Sequence, residues 1–387
     1  MLLGRYMAGL ADDRQNEELE AQHTFVKSVL AETNAIFGSS ANRKFARDMV
    51  IEAIKTVPLV GGAVSATEKF IEGIAEIERE TRLARLEMYL MGLNCNYDED
   101  AEFRQEDMRS IIKKLAVDDE DAKTEYYTRL TLKLGRKPLS DMPSDIRLHF
   151  IRTVSTLTRY QIEFAREMKI RKTVPIYGTV SLEEAEVLHT GQSSGMAMKA
   201  VRALQNEGLL KEAPRPPRAG PPAEPLFDFT HDFNELMELL FHPTDFEPEA
   251  IGFKRKDVSD IILVGSRHFI DNLYVTYLPT ALHKAGINAK MVNSDDNHLS
   301  TEWAPLYLHT NIHDDNGTKF IKLYLTREGK RPIVNQTVNY INCRFEERIY
   351  GRNKSNSQRE VDFFLKEMDR VVRCVVGQMK ELNYSAR

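Results

Sequence analysis

Two short stretches of this sequence carry residues able to hold a phosphate. The first is Gly265-Ser266-Arg267-His268, directly after the apolar run Ile261-Ile262-Leu263-Val264. The second is Asp295-Asp296, after Asn288-Ala289-Lys290-Met291-Val292-Asn293 and Ser294. A strand, a helix carrying Phe269, Leu273, Val275, Leu278 and Leu282 up to Gly286, and a second strand would set both stretches at the carboxyl edge of a parallel pair. Ligands bind at such edges. Amides at the helix start, with Ser266 and Arg267, would then face an anion, and Asp295 or Asp296 a ribose hydroxyl. The repeated glycines of the dinucleotide fingerprint are missing, and a Gly-Ser turn after a strand is more often a plain helix entry. Gly265, Ser266, Arg267, His268, Asp295 and Asp296 are the candidate ligand residues, and no cofactor is assigned to them.

Other chemistry-bearing residues in this half of the chain lack a signature. His309 and His313 stand four apart before Asp314 and Asp315, a spacing that would ligate zinc on a helix. Thr310, Asn311 and Ile312 disfavour a helix, so these histidines, with His268, His283 and His298, are expected in loops, and no metal site is assigned. Asp295, Asp296, Glu302, Lys319 and Lys322 are nuclease residue types without nuclease spacing. The acidic runs Asp98-Glu99-Asp100 and Asp118-Asp119-Glu120-Asp121 lack the central glycine and terminal glutamate of a calcium loop, and each precedes a helical pattern. They are expected to serve helix N-termini. Cys95, Cys343 and Cys374 are widely spread, without metal spacing, and fit unpaired thiols in a reducing cytosol.

A second set of candidates lies on a predicted winged helix-turn-helix. Ser181-Leu182-Glu183-Glu184 is a capping box that opens a short helix ending near Gly191. A polar turn, Gln192-Ser193-Ser194, precedes a second helix with Met198, Val201, Ala203 and Leu204 at helical spacing, stopped by Gly208. Leu209-Leu210-Lys211 and Pro225-Leu226-Phe227-Asp228-Phe229 flank a Pro- and Gly-rich tip and read as a wing, and Thr230 caps a third helix. The reading helix would present Ser193, Ser194, Met196, Lys199, Arg202 and Gln205 to a major groove, while Lys211, Arg215 and Arg218 would meet phosphates. Lys199, Arg202, Gln205, Arg215 and Arg218 are thus the nucleic-acid candidates. Against them stand Glu207, Glu212 and a first turn poor in Arg and Asn.

The elements that must position these residues follow from periodicity. Amphipathic helices are expected over 17–37, 41–56 and roughly 64–92, then through Met108–Leu115, Tyr126–Leu134 and Leu148–Leu157. Ile162, Phe164, Ala165 and Met168 begin the first helix of the winged motif. After the second C-terminal strand the parallel alternation is expected to stop: 319–325 alternates like a strand, 338–345 is extended, and Glu360–Leu382 is a last amphipathic helix. The fold class is α+β, with a helical bundle over 1–158, a winged helix-turn-helix over 159–242 and a mixed α/β domain over 243–387.

The totals bound the function. A chain of 387 residues with 42% hydrophobic and 29% charged residues is ordinary for globular protein and long enough for more than one core. A net charge of −5 excludes a strongly basic nucleic-acid binder but leaves room for a local basic face. The N-terminus lacks the apolar core of a signal peptide, and the most apolar stretch, Ala53–Ala66, is too short to span a membrane. A cytoplasmic protein without a membrane span is expected.

A resemblance adds one expectation. The break Val57-Pro58-Leu59-Val60-Gly61-Gly62-Ala63 leads to a charged helix ending Arg85-Leu86-Glu87-Met88-Tyr89-Leu90. The segment Asp118–Leu130 and the helix end Phe150–Gln161 follow. Together these resemble the abortive-infection alpha family, a group of bacterial helical proteins, over about 50–170. The resemblance implies a bacterial protein with a place in phage defence and supplies no catalytic residues. The reading that results is a cytoplasmic sensor or regulator. Its helical and winged modules meet a protein partner, a second copy or DNA, and its C-terminal domain senses or acts. The alternatives are an enzyme acting on a nucleotide or nucleic acid through the C-terminal domain, and a DNA-binding transcription regulator.

Overall fold

The computed structural model describes residues 81, 84–86, 88–93, 104–136, 139–214, 225–265, 272–293, 298–315, 318–327, 344–346 and 358–381. The helices expected before residue 81 lie outside them, as do the Asp98–Asp100 run, Cys95 and Cys343. The protein is a mixture of helices and small sheets, consistent with α+β. It divides into two compact units. One draws on Met1–Arg166, Ser194–Pro216 and Phe227–Pro243, the other on Glu167–Ser193, Pro217–Leu226 and Thr244–Arg387.

The helices in chain order are α1 (Gln105–Val117), α2 (Thr124–Leu134), α3 (Ser144–Thr156), α4 (Arg159–Thr173), α5 (Leu182–Thr190), α6 (Gly195–Asn206) and α7 (His231–Leu240). In the first unit the apolar stripes expected from spacing are buried: Met108, Ile111, Ile112 and Leu115 on α1, Leu130 and Leu134 on α2, Phe150, Ile151 and Val154 on α3. Among them sit ion pairs. Arg147, fully buried, lies 2.7 Å from Asp107 and also donates to the Met142 carbonyl. Lys123 Nζ lies 2.5 Å from Asp118 and 3.2 Å from the Ser155 carbonyl, and the Tyr127 hydroxyl donates to the same Asp118 at 2.9 Å. Burial first, and then Asp118, pushes the Tyr127 phenol well above its ordinary range.

Only part of the acidic run at 118–121 serves a helix N-terminus. Asp118 is the C-cap of α1 and the centre of that buried pair. Glu120 accepts from the Arg159 amide at 2.6 Å, which serves the first turn of α4, and Asp121 pairs with Arg85. Sequence spacing shows which helix follows an acid, not which distant donor packs over it.

The second unit is built on a five-stranded sheet of order β5-β4-β7-β8-β9. Its strands are β4 (Ile261–Gly265), β5 (Ala289–Asn293), β7 (Leu306–Asp315), β8 (Thr318–Arg327) and β9 (Arg344–Glu346). A separate parallel pair joins β3 (Asp257–Val258) to β6 (Glu302–Trp303). Helix α8 (Asn272–Lys284) connects β4 to β5, and α9 (Gln358–Glu381) ends the described chain. Ile261, Leu263, Leu306, Leu308 and Leu325 pack with Leu278 and Leu282 of α8 and Met368, Val371, Val375 and Met379 of α9. Ile262, Val264 and Tyr307 fill the opposite face with Ala304. Strand β4 reads as an unbroken apolar run because both of its faces are covered. One parallel strand that was not expected, β7, adds to β4 after β5, and the parallel order then stops, as expected, at antiparallel β8 and β9.

Lys256 clamps the loops beside this sheet. Its buried amine donates to the Thr179 carbonyl and, at 2.6 Å, to that of Leu299. Backbone bonds reinforce the junction: Tyr177 donates to the Lys254 carbonyl, Lys256 to Pro175 and Gly178 to Ser300, at 2.8, 3.0 and 3.0 Å. Gly178 has φ of 88°, a left-handed turn that a side chain would strain.

Two predictions test these contacts. A Cβ at Gly92 would lie 2.9 Å from Thr128 Cγ2, so Gly92 sets how closely helical residues 88–93 approach α2. Gly92→Ala should lower the urea midpoint, because overpacking of about 1–3 kcal/mol exceeds the roughly 1 kcal/mol gained in helix propensity. Adding Thr128→Ala should recover much of the loss. Burial lowers the Lys256 pKa to about 8, while Glu184 acts weakly the other way. The neutral amine keeps two donors for its two carbonyls, so the charge and not the bonding opposes the fold. With a folded pKa below the unfolded value near 10.4, stability is gained as pH rises from about 8 towards 10 and lost on return. Urea midpoints of the wild type should therefore rise across that window relative to Lys256→Met.

Candidate nucleic-acid interface

The sequence of α6 makes one narrow apolar stripe and a broad polar face. Ala197, Ala200 and Leu204 are fully buried and recur at spacings of three and four, which corrects the expected stripe: Met198 is exposed, and Val201 and Ala203 are only half-buried. Two alanines in the stripe let the helix backbone lie close to its support, which includes the adjoining strand β1 (Leu210–Glu212). The helix stops in a Schellman arrangement. The Gly208 amide bonds the Gln205 carbonyl at 3.0 Å, the Leu209 amide bonds that of Leu204 at 2.9 Å, and Gly208 has φ of 72°.

Lys199, Arg202 and Gln205 are exposed. Steps of three residues fan them over an arc of about 120° and a rise of about 9 Å, opposite the alanine stripe. None of the three makes a side-chain hydrogen bond or ion pair with a described residue. Met196 and Met198 are exposed by 57% and 47% and flank the charged positions. No acidic residue occurs from Val187 to Asn206, so the face keeps a local positive charge on a chain that is acidic overall.

The hairpin after α6 is present. Strand β1 pairs antiparallel with β2 (Phe227–Phe229), with Leu210 opposite Phe229, Lys211 opposite Asp228 and Glu212 opposite Phe227. Its base is tied by Thr230, whose amide and hydroxyl both donate to the Leu209 carbonyl, at 3.1 and 3.0 Å. The same hydroxyl accepts from the Phe233 amide at 3.2 Å and so caps α7, as its sequence position predicts. The rings of Phe229 and Phe233 stack at 4.1 Å. Lys211 is exposed, but its cross-strand neighbour is an acid, which weakens it as a phosphate contact. Arg215 and Arg218 lie outside the described residues.

Helix α5 opens on the predicted Ser181 cap, although the Glu184 side chain closes on the Val180 amide and not on that of Ser181 as a capping box would. Ser181 accepts from the Glu184 amide at 3.1 Å, and the Glu184 carboxylate accepts from the Val180 amide. The helix groups with the second unit and α6 with the first. Within the second unit, Glu186 is buried and paired with Lys172 at 3.0 Å.

Of the strand-edge candidates, only Gly265 is described. It ends β4 and pairs with Asn293 at the end of β5, so the two strands run parallel and finish side by side. Gly265 and Asn293 thus end at the same sheet edge. Ser266, Arg267, His268, Asp295 and Asp296 lie outside the described residues. A Cβ at Gly265 would meet only the Val292 carbonyl, at an ordinary 3.7 Å, so no close approach requires glycine there.

The expectation of loop histidines is corrected for His309 and His313, which lie in β7, and for His283, which lies in the last turn of α8. Residues four apart on a strand are about 13 Å apart along it. His309 is half-buried, with Nε2 3.0 Å from Thr326 Oγ1 across the β7–β8 pair. Lys319 and Lys322 occupy β8, opposite Asp314 and Asn311. The strand was missed because Thr310, Asn311 and His313 interrupt its apolar signal. Its pairing on both sides, parallel with β4 and antiparallel with β8, supplies the order that composition does not.

No protein-family model, curated protein or solved structure matches the chain. No helix among the described residues is long and apolar enough to cross a membrane.

Proposed function

We propose that this chain is a cytoplasmic bacterial regulatory protein that contacts DNA through α6 and the β1–β2 hairpin. The order α4, α5, α6, β1, β2, α7 is that of a winged helix-turn-helix, with α6 as the reading helix and the hairpin as the wing. The observation that carries this reading is the exposed face of α6, where Lys199, Arg202 and Gln205 have no described partner and no acid shares the helix. A helix of this kind presents guanidinium and amide groups to base edges, and its lysine to a phosphate. The remainder of the second unit serves as the sensing or effector part, and the resemblance over about 50–170 suggests phage defence as the setting.

Fluorescence anisotropy with duplex DNA, measured from low to moderate salt, tests the reading. The logarithm of affinity should fall linearly with the logarithm of salt. Lys199→Gln should flatten the slope by roughly 0.9, the value of one lost phosphate contact. Absence of DNA binding at low salt, with self-association abolished by Met196→Glu, would assign this face to a protein partner or a second copy instead.

A second reading is favoured by the adjacent ends of β4 and β5. Under it the second unit binds or transforms a nucleotide at the shared edge, with Ser266 and Arg267 on its phosphates and Asp295 or Asp296 on its ribose. Protein purified from its host should then carry a nucleotide detectable by native mass spectrometry. Arg267→Ala should lose it.

A further inference from the structure

We propose that a cleft on the first unit, away from the α6 face, binds a small phosphomonoester of nucleoside monophosphate size. The cleft has a volume of about 620 Å³ and is floored by α2, with Met88, the start of α4 and the end of α7 as its walls. That volume falls within the roughly 300–1,000 Å³ of small-molecule sites.

The charges in the cleft are unevenly matched. Each carboxylate in the lining has an arginine partner. Asp121 pairs with Arg85, Glu125 with Arg129 at 2.5 Å, and Glu163 with Arg166 at 2.6 Å. Arg129 also donates to the Leu240 carbonyl at the end of α7, at 3.0 Å. The Tyr126 hydroxyl donates to Glu163 and lies beside Arg159. Lys133 and Arg159, both in the lining, have no described carboxylate within ion-pair reach. A cleft with low-dielectric walls concentrates the field of such cations.

The charge excess selects the class of ligand. Two cations without carboxylate partners match a phosphomonoester, which carries close to two negative charges at neutral pH, better than a single carboxylate. Arginine and lysine are the usual phosphate donors. The apolar wall of Met88, Leu132 and Phe241 gives the remainder of the ligand something to lie against, so a free phosphate would use only part of the site.

The cleft stands independently of the DNA reading, and the test keeps the two apart. Isothermal titration of the full chain with AMP, adenosine and inorganic phosphate should show saturable AMP binding, with each of the other two at least about tenfold weaker. Lys133→Gln with Arg159→Gln should reduce AMP affinity at least about tenfold and leave adenosine unchanged, while Lys199→Gln with Arg202→Gln should alter neither. Circular dichroism and the urea midpoint verify that the cleft variant folds. Should that variant not fold, Glu163→Gln replaces it and should tighten AMP by removing a negative charge. Absence of saturable AMP binding up to about 1 mM overturns the proposal. So does equal affinity for AMP and adenosine, and equal affinity for AMP and phosphate reduces the cleft to an adventitious anion site.

Discussion

Helix α2 is buried on nearly every side, and the first unit depends on how its polar groups make that tolerable. Thr124, Thr128 and Thr131 are all buried within it, and of the three only the Thr124 hydroxyl has no partner among the described residues. Thr128 and Thr131 donate to the carbonyls of Thr124 and Tyr127, at 2.9 and 2.7 Å, so their hydroxyls are satisfied by the helix's own backbone. The Tyr89 hydroxyl shares Thr131 Oγ1 at 2.8 Å, and Tyr127 finds Asp118. Apolar residues at these positions would pack as well, but the hydroxyl pairs admit only one register between the helices, since an unpaired buried hydroxyl is destabilising. Close packing against Gly92 and the edge-on contact of Tyr126 with Phe241 follow from that register.

What α2 leaves outward forms the cleft floor. Its Glu125–Arg129 pair, one turn apart, sits against the last carbonyls of α7, where a cation offsets the negative end of a helix. Charge in this unit is therefore arranged locally and is not predicted by the total. A net −5 describes the chain, yet both the α6 face and the cleft hold cations that no described carboxylate neutralises. Electrostatic steering depends on such local fields more than on the sum.

The second unit solves a different problem. Strand β4 lies between two parallel neighbours and is covered on both faces, so its side chains need only be apolar and of suitable size. Specificity is left to the edges and to the loops tied by Lys256. A buried amine that stays bonded whether charged or neutral holds loops while tolerating a lowered pKa.

Local signals in the sequence determined much of the local structure. The Ser181 and Thr230 caps, the Gly208 stop, the apolar stripes of α1, α2 and α3, and β4 are short-range features, and each is present where the residues place it. The exposure of Lys199, Arg202 and Gln205 agrees with the sequence reading, but the stripe that orients the helix is Ala197, Ala200 and Leu204, and of the expected Met198, Val201, Ala203 and Leu204 only Leu204 belongs to it. Tertiary structure alone decided the rest. Strand β7 carries too many polar residues to announce itself and is defined by partners on both sides. The acids at 118–121 took donors from α4 and from Arg85, dozens of residues away in sequence. The cleft needs three chain segments to converge on α2, and no spacing in one chain encodes which cations are left without described carboxylates once those segments meet.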